Sequence, residues 1–198
     1  MLGASYDWFN IDKSDNTKLT NAGDFIRFDP FPTNRSDAFN PMLGVAYTFP
    51  CKTKLFGSIA HKSRFPKLEE LYSSKGGNPN LETEKSWNYT LGISRPFSQY
   101  AKAGLSTFYY DVSDMISKDG IGWIGTNYNV GKVQLFGFEF NAEAYPLNGL
   151  TLRVDYTYEE ANNKSEGRVT DDVTYVPRHK VDAGIQYILP AIRSRLDI

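Results

Sequence analysis

The chain has 198 residues with 40% hydrophobic side chains, a length that suits one ordinary domain. Its net charge of −1 argues against a nucleic-acid-binding surface, and no stretch reaches the ~20 apolar residues of a transmembrane helix. A membrane β-barrel stays open as a reading, because its strands are apolar only at alternate positions and look half polar in sequence.

Aromatic residues make up 15% of the chain, with 13 Tyr and 13 Phe, as suits strands and the interfacial girdles of membrane barrels. Leu2 to Ile11 reads as an aromatic strand. Asp12 to Asn40 is polar and punctuated by Pro30 and Pro32, and reads as a long loop. Connections of that length usually have a function. Met42 to Phe49 places Leu43, Val45, Tyr47 and Phe49 on one face, and Pro50 to Thr53 is a tight turn. Cys51 lies in that turn without a second cysteine in the chain, so it forms no internal disulfide. Lys54 to Ser63 returns as a strand of weak alternation, with Leu55, Phe56 and Ile59 on both faces. His61, without a neighbouring ligand, reads as a packed or lumen-facing side chain and not as a metal site.

Lys62 to Tyr89 is a strand end, a short helical turn from Pro66, a double-glycine stop at Gly76 and Gly77, an Asn78–Pro79 turn and a new strand. Ser86 to Ser94 carries the cleanest alternation: Trp87, Tyr89, Leu91 and Ile93 on one face, Asn88, Thr90, Gly92 and Ser94 on the other. Lys102 to Val112 is a fifth strand, and Ser113 to Thr126 a glycine-rich loop with no following helix or Lys-Ser/Thr pair to make a phosphate site. Tyr128 to Tyr145 separates Phe136, Phe138, Phe140 and Ala142 from Gly137, Glu139, Asn141 and Glu143. The turn at Pro146 to Gly149 predicts a hairpin that sets Glu143 opposite Arg153, as a lumen-facing charge pair, and Ala142 opposite Val154. The strand from Leu150 to Tyr158, the loop Glu159 to Val176, and a strand with Val181, Ala183, Ile185, Tyr187 and Leu189 outward complete the pattern, and a further strand starts at Arg193. Long connections follow Ile11, Ser63, Val112 and Tyr158; short ones follow Phe49, Ser94 and Tyr145. That asymmetry is expected of a barrel with its long loops outside the cell.

Several ordered segments carry a more specific signal. Arg64, Phe65 and Pro66 are followed by Leu68 to Tyr72, then Gly77, Asn78, Pro79, Leu81, Glu84, Lys85, Ser86 and Trp87. Residues 105–116 (LSTFYYDVSDMI), then Asn129, Gly131, Gly137 and Glu139, and the Val176, Pro177, Arg178, His179 entry extend the series. This order resembles that of TonB-dependent outer-membrane receptors, with Pro66 directly after Phe65 where many relatives have an intervening Ala.

The resemblance implies an all-β, antiparallel transmembrane β-barrel, of which residues 1–198 supply about eight strands and part of a ninth out of about 22. It implies a location in the outer membrane, with lipid around the wall and the TonB complex and an extracellular ligand, an iron-siderophore or cobalamin, as partners of the whole receptor. No charged start with a long apolar run follows Met1, so the chain is expected to be a piece of a longer protein, with plug domain and signal peptide outside it. A passive porin-like channel and a soluble β-sandwich binding module are the alternatives.

Catalysis is not expected. The carboxylate pairs Glu69/Glu70, Glu159/Glu160 and Asp171/Asp172 are adjacent residues whose side chains diverge in an extended chain, and no cofactor or metal set emerges. Ligand contacts are expected from loop residues Tyr72, Lys75, Trp123 and Arg168, chosen for their chemistry and position.

Overall fold

The computed structural model describes residues 1–12, 16–19, 21, 23, 25–28, 30, 32–118, 125–168, 170–173, 176–189 and 194–197. Its strands are β1 (Leu2–Ile11), β2 (Asn16–Leu19), β3 (Phe25–Phe28), β4 (Asn34–Thr48), β5 (Lys54–Arg64), β6 (Glu84–Ser98), β7 (Ala101–Lys118), β8 (Asn127–Leu147), β9 (Leu150–Asn163), β10 (His179–Leu189) and β11 (Ser194–Asp197), with one short helix, α1 (Leu68–Tyr72). Nine strands form a single antiparallel meander in the order β1-β4-β5-β6-β7-β8-β9-β10-β11, and β2 and β3 pair as a separate hairpin. Strict up-and-down order puts every second connection at the same end. The β1–β4, β5–β6, β7–β8 and β9–β10 connections share one end; the tight turns, among them Asn148–Gly149, lie at the other.

The sheet has two unlike faces. Cross-strand partners lie on the same face, so the registers Ile59↔Tyr89, Tyr89↔Tyr109, Tyr109↔Phe136 and Phe140↔Tyr156 join one outward surface. Its members are exposed hydrophobics: Leu91 is 57% exposed, Val45 67% and Val181 66%. Leaving such side chains in water forfeits roughly 1.5–3 kcal/mol each, so a surface this extensive needs a covering apolar phase. The opposite face carries Asn88, Thr90, Ser106, Glu139, Asn141, Asp155 and Gln186.

Phe56 and Phe108 depart from the polar rule on the inner face, and glycines explain them. A Cβ built at Gly92 would meet the Phe56 ring at 2.3 Å, and one at Gly137 would meet Phe108 at 2.8 Å. The tip of each ring therefore lies over a glycine of the neighbouring strand, an aromatic covering of exposed backbone, and at Gly137 the Tyr158 carbonyl oxygen also occupies the space a Cβ would need. This resolves the two-faced pattern of β5: Leu55 and Ile59 point outward, and Phe56 fills the space above Gly92.

The sequence reading of residues 12–40 as one loop is corrected. β2 and β3 occur within it, and β4 starts at Asn34, eight residues before the expected strand, pairing with β1 from Ile11↔Asn34 to Leu2↔Leu43. Pro41 misled the reading, yet its place is permitted. Gly44 bonds through both its N–H and C=O to Met1, so even-numbered residues of β4 address β1 and odd-numbered ones address β5. Pro41 addresses β5 one residue beyond the last pair, Met42↔Ala60, where a missing N–H breaks no ladder. β6, β7 and β9 likewise outrun their expected ends; β7 and β9 do so at the long-loop end, where the ladder continues while most of the added side chains are polar.

The β8–β9 hairpin has the expected register, Glu143↔Arg153 and Ala142↔Val154, and Gly149 is left-handed at φ 85°. The Glu143–Arg153 ion pair is not what forms. Glu143 pairs with Lys102 at 3.0 Å and accepts a 2.6 Å bond from the Tyr145 hydroxyl, while Arg153 turns to Asp155 at 3.0 Å. The reason is that a third strand, β7, brings Lys102 opposite Glu143. His61 lies on the outward face, opposite Trp87, with Nδ1 3.0 Å from the Phe39 carbonyl, and not toward the lumen. Leu189, Arg193 and Ile198 have side chains or placements outside the described residues.

Opposite behaviour is expected for charges placed on the two faces at mid-strand. Leu91→Arg should cost ~2–4 kcal/mol near a bilayer midplane and block assembly, measured as loss of the heat-modifiable folded band in membranes. Ser58→Arg, on the inner face, should leave that band in place.

Candidate functional site

The long-loop end of the inner face holds an ordered structure built on α1. Lys67 precedes the helix, and its N–H donates to Glu70 Oε2 at 2.8 Å, so Pro66 sits just before the cap and not in the first turn as expected. The helix is one turn long and is capped at Ser73, three residues before Gly76 and Gly77. Gly76 has φ +98°, and a Cβ there would fall 1.6 Å from the Gly125 carbonyl oxygen; one on Gly77 would strike the Ser73 backbone at 2.4 Å. The chain reverses there, with Gly77 N–H bonded to the Ser73 carbonyl and Asn78 N–H to that of Glu70, both at 2.8 Å. Leu71 and Leu81 are buried beneath the reversal, at 0% and 3% exposure.

Arg64, the last residue of β5, ties this loop to the wall. Its Nη1 donates to both oxygens of Glu70 at 3.1 and 2.9 Å, and its Nε and Nη2 fork onto Glu84, the first residue of β6, with the Nη2 bond at 2.9 Å. Glu84 also accepts the Ile116 N–H at 2.6 Å. One guanidinium thus links a strand end, the helix and the next strand start with bidentate, charge-assisted bonds.

Asparagines do the same work for the backbone. Asn129 accepts the Glu82 N–H at 2.9 Å and donates to the Glu82 and Asp114 carbonyls at 3.1 and 2.6 Å. Asp114 is left-handed at φ 58°, and its carbonyl turns out of the ladder toward this amide. Asn127 donates to the Glu70 carbonyl at 3.0 Å, and Asn78 to that of Asn127 at 2.9 Å. Loop backbone that would otherwise lose its partners above the inner face is thereby satisfied.

Of the residues expected to contact ligand, Tyr72 and Lys75 fall on this loop. The Tyr72 hydroxyl donates to the Pro32 carbonyl at 2.8 Å, tying α1 to the β1–β4 connection, and burial pushes its ionisation upward. The Lys75 carbonyl accepts the Lys118 ammonium at 3.2 Å. Arg168 belongs to another loop, after β9, where it pairs with Asp171 and donates to the Ser165 carbonyl at 3.3 Å. That bond to Arg168 holds the Asp171 carboxyl below its usual range. Arg168 also lines an open groove with Lys132, Lys164 and Tyr128. Trp123 lies outside the described residues. Among the described residues, no group of three or more His, Cys, Asp or Glu side chains is placed to hold a metal ion. Sequence alone does not join Arg64, Glu70, Glu84 and Asn129 into a set, although the first three lie between Lys62 and Tyr89; only their spatial meeting shows what they do.

Residues 1–195 match the family model described as TonB dependent receptor-like, beta-barrel. A vitamin B12 transporter, BtuB, of Photobacterium profundum is 26% identical over 129 residues, covering 62% of this chain and 21% of that protein. Among solved structures, the copper transporter OprC superposes with a TM-score of 0.69 at 19% identity, over 94% of this chain and 30% of that one. The FrpB iron transporter from Neisseria meningitidis (F3-3 variant) gives 0.62 at 18% identity, over 99% and 29%. The chain therefore spans about a fifth to a third of the lengths of these relatives.

Replacing Arg64 by Met leaves Glu70 and Glu84 facing each other without their shared cation. Loss of charge-assisted bonds of ~1.5–3 kcal/mol in total, after allowance for their partial exposure, should loosen residues 65–83 without unfolding the wall. Limited trypsin digestion at Lys67 and Lys75 should accelerate in Arg64→Met and much less in Arg64→Lys; equal rates in all three proteins would show that the clamp does not hold the loop.

Proposed function

The chain belongs to the TonB-dependent receptor-like β-barrel family, a family of outer-membrane proteins, and from that membership we propose that its strands form part of the wall of a receptor for active uptake of a scarce ligand. An iron-siderophore or cobalamin is the ligand class proposed, with energy from the inner-membrane TonB complex reaching the whole receptor through parts outside this chain. The observation that carries the reading is the family match along residues 1–195. The outward apolar face and the sorting of long loops to one end agree with it, as do relatives whose names specify vitamin B12, iron and copper transport.

We read the chain as a transport component and not as an enzyme. Tyr72, Lys75, Trp123 and Arg168 are proposed as ligand contacts because they lie on connections at the long-loop end. The clamp around Arg64 would keep one such connection in a fixed conformation, so that contacts from it are pre-organised instead of being ordered at each binding event.

The test is uptake by the full-length receptor in cells with and without TonB, using a panel of radio-iron ferric siderophores and labelled cyanocobalamin. Accumulation of one of these that disappears without TonB is the expected result. Equal accumulation in both strains would replace active uptake by a passive channel.

A further inference from the structure

Among the described residues, the outward face is uncharged toward the short-turn end with one exception. The described outward residues nearest the turns include Tyr47 on β4, Leu55 on β5 with Thr53 just before that strand, Ala101 and Ala103 on β7, Ala142 and Ala144 on β8, Leu150 and Leu152 on β9 and Tyr187 on β10. Among them stands Arg95 of β6, opposite Ala103 of β7. Its same-face neighbours along the row are Thr53, Ala103 and Ala142, and no described carboxylate lies among them.

Beside Arg95 is a groove of about 330 Å³, lined by Ile93, Phe97, Leu105 and Phe140 as walls and by Ala103 between them. Ile93, Phe97, Leu105 and Phe140 are 46%, 69%, 45% and 39% exposed. A cation at the rim of an apolar trough is an amphipathic arrangement, and its depth can be estimated. Leu91 is the middle residue of β6. Arg95, four residues on, lies ~10 Å nearer the short-turn side for a rise of ~3.4 Å per residue and a strand tilt of ~40°. The apolar band of a membrane barrel is ~25 Å tall, so the Arg95 backbone is just inside its edge and the side chain reaches the level of lipid phosphates by extending outward from the strand.

We propose that Arg95 and the groove beside it form a binding site for one phospholipid of the leaflet at the short-turn side. The guanidinium holds the phosphate with paired N–H donors, and an acyl chain lies over Ala103 between Ile93, Leu105 and Phe140. Charge complementarity selects this occupant: a second protein surface would need a carboxylate delivered into an apolar layer, whereas a phospholipid places its anion at this depth and its chain in the trough. The planar fork of arginine fits a phosphate better than the point charge of lysine. The site rests on the reading of the chain as an outer-membrane barrel.

The test uses the full-length receptor, purified from outer membranes in mild detergent and titrated with phosphatidylglycerol while bound lipid is counted by native mass spectrometry. Arg95→Gln should weaken the tightest lipid-binding step by about tenfold or more, and Arg95→Lys by less. Ala103→Phe, which fills the trough but keeps the cation, should also remove that step. Inorganic phosphate in excess should not displace the lipid; displacement would mean an anion site without a lipid, and would overturn the proposal. Unchanged lipid retention in both Arg95→Gln and Ala103→Phe would overturn it as well, while leaving the barrel reading intact if the receptor still fractionates with outer membranes and runs as a heat-modifiable band. A wild-type receptor absent from that fraction would overturn both.

Discussion

The constraint on which the rest depends is that a strand inside lipid has no water with which to pair its backbone. Every N–H and C=O that crosses the apolar layer must meet another strand, and the structure answers this with a meander in which β5 to β9 are each bonded on both sides over most of their length. That requirement explains why the strands are long and why their registers are continuous, with register shifts near the short turns, between Pro96 and Ser98 and between Ala144 and Leu147, and a break in the ladder at Asp114 toward the long-loop end. It also explains why a proline appears inside β4 only where one side of the ladder has already ended. Once the backbone is committed in this way, side chains divide by period two into a surface for lipid and a surface for water.

The division was legible in sequence wherever the strand stayed within the apolar layer. Trp87, Tyr89, Leu91 and Ile93 alternate with Asn88, Thr90, Gly92 and Ser94, and the structure places them on opposite faces. The β8–β9 register could be read because a short turn with a left-handed glycine fixes pairing locally. Legibility failed where strands rise past the membrane. Asn34 to Asn40 carries no apolar alternation, since both its faces see water, and only its pairing with β1 makes it a strand. Side-chain partnership failed for a related reason. Glu143 and Arg153 are opposite each other, but the choice between Arg153 and Lys102 depends on the third strand, which the hairpin alone does not reveal.

The Arg64 segment is a different case, in which the order of residues was recognisable before its physics was. Each component now has a cause. Arg64 must end a strand and Glu84 must start the next, because these two residues face each other in the ladder, as the pair Arg64↔Glu84. Glu70 must sit in the single helical turn so that its carboxylate returns to the same guanidinium and to the Lys67 N–H. Leu71 and Leu81 give the loop its own small core, which a connection over a polar face would otherwise lack. The two glycines allow the backbone to approach Gly125 and Ser73 more closely than any Cβ would permit.

This assembly has a consequence for how a barrel wall can support recognition. Loops usually gain freedom as they lengthen, and the entropy lost on binding grows accordingly. Here the connection between β5 and β6 is tied to β5 and β6 through Arg64, to the start of β8 through Asn127 and Asn129, and to the β1–β4 connection through the Tyr72 hydroxyl. Its position is thus set by contacts that reach from the β1–β4 connection to β8, those to Arg64, Glu84, Asn127 and Asn129 resting on strands of the ladder. A side chain carried by such a loop is positioned through hydrogen bonds to several elements of the wall, although it stands above the bilayer. The ladder that lipid demands below therefore also supplies the rigidity available at the mouth above.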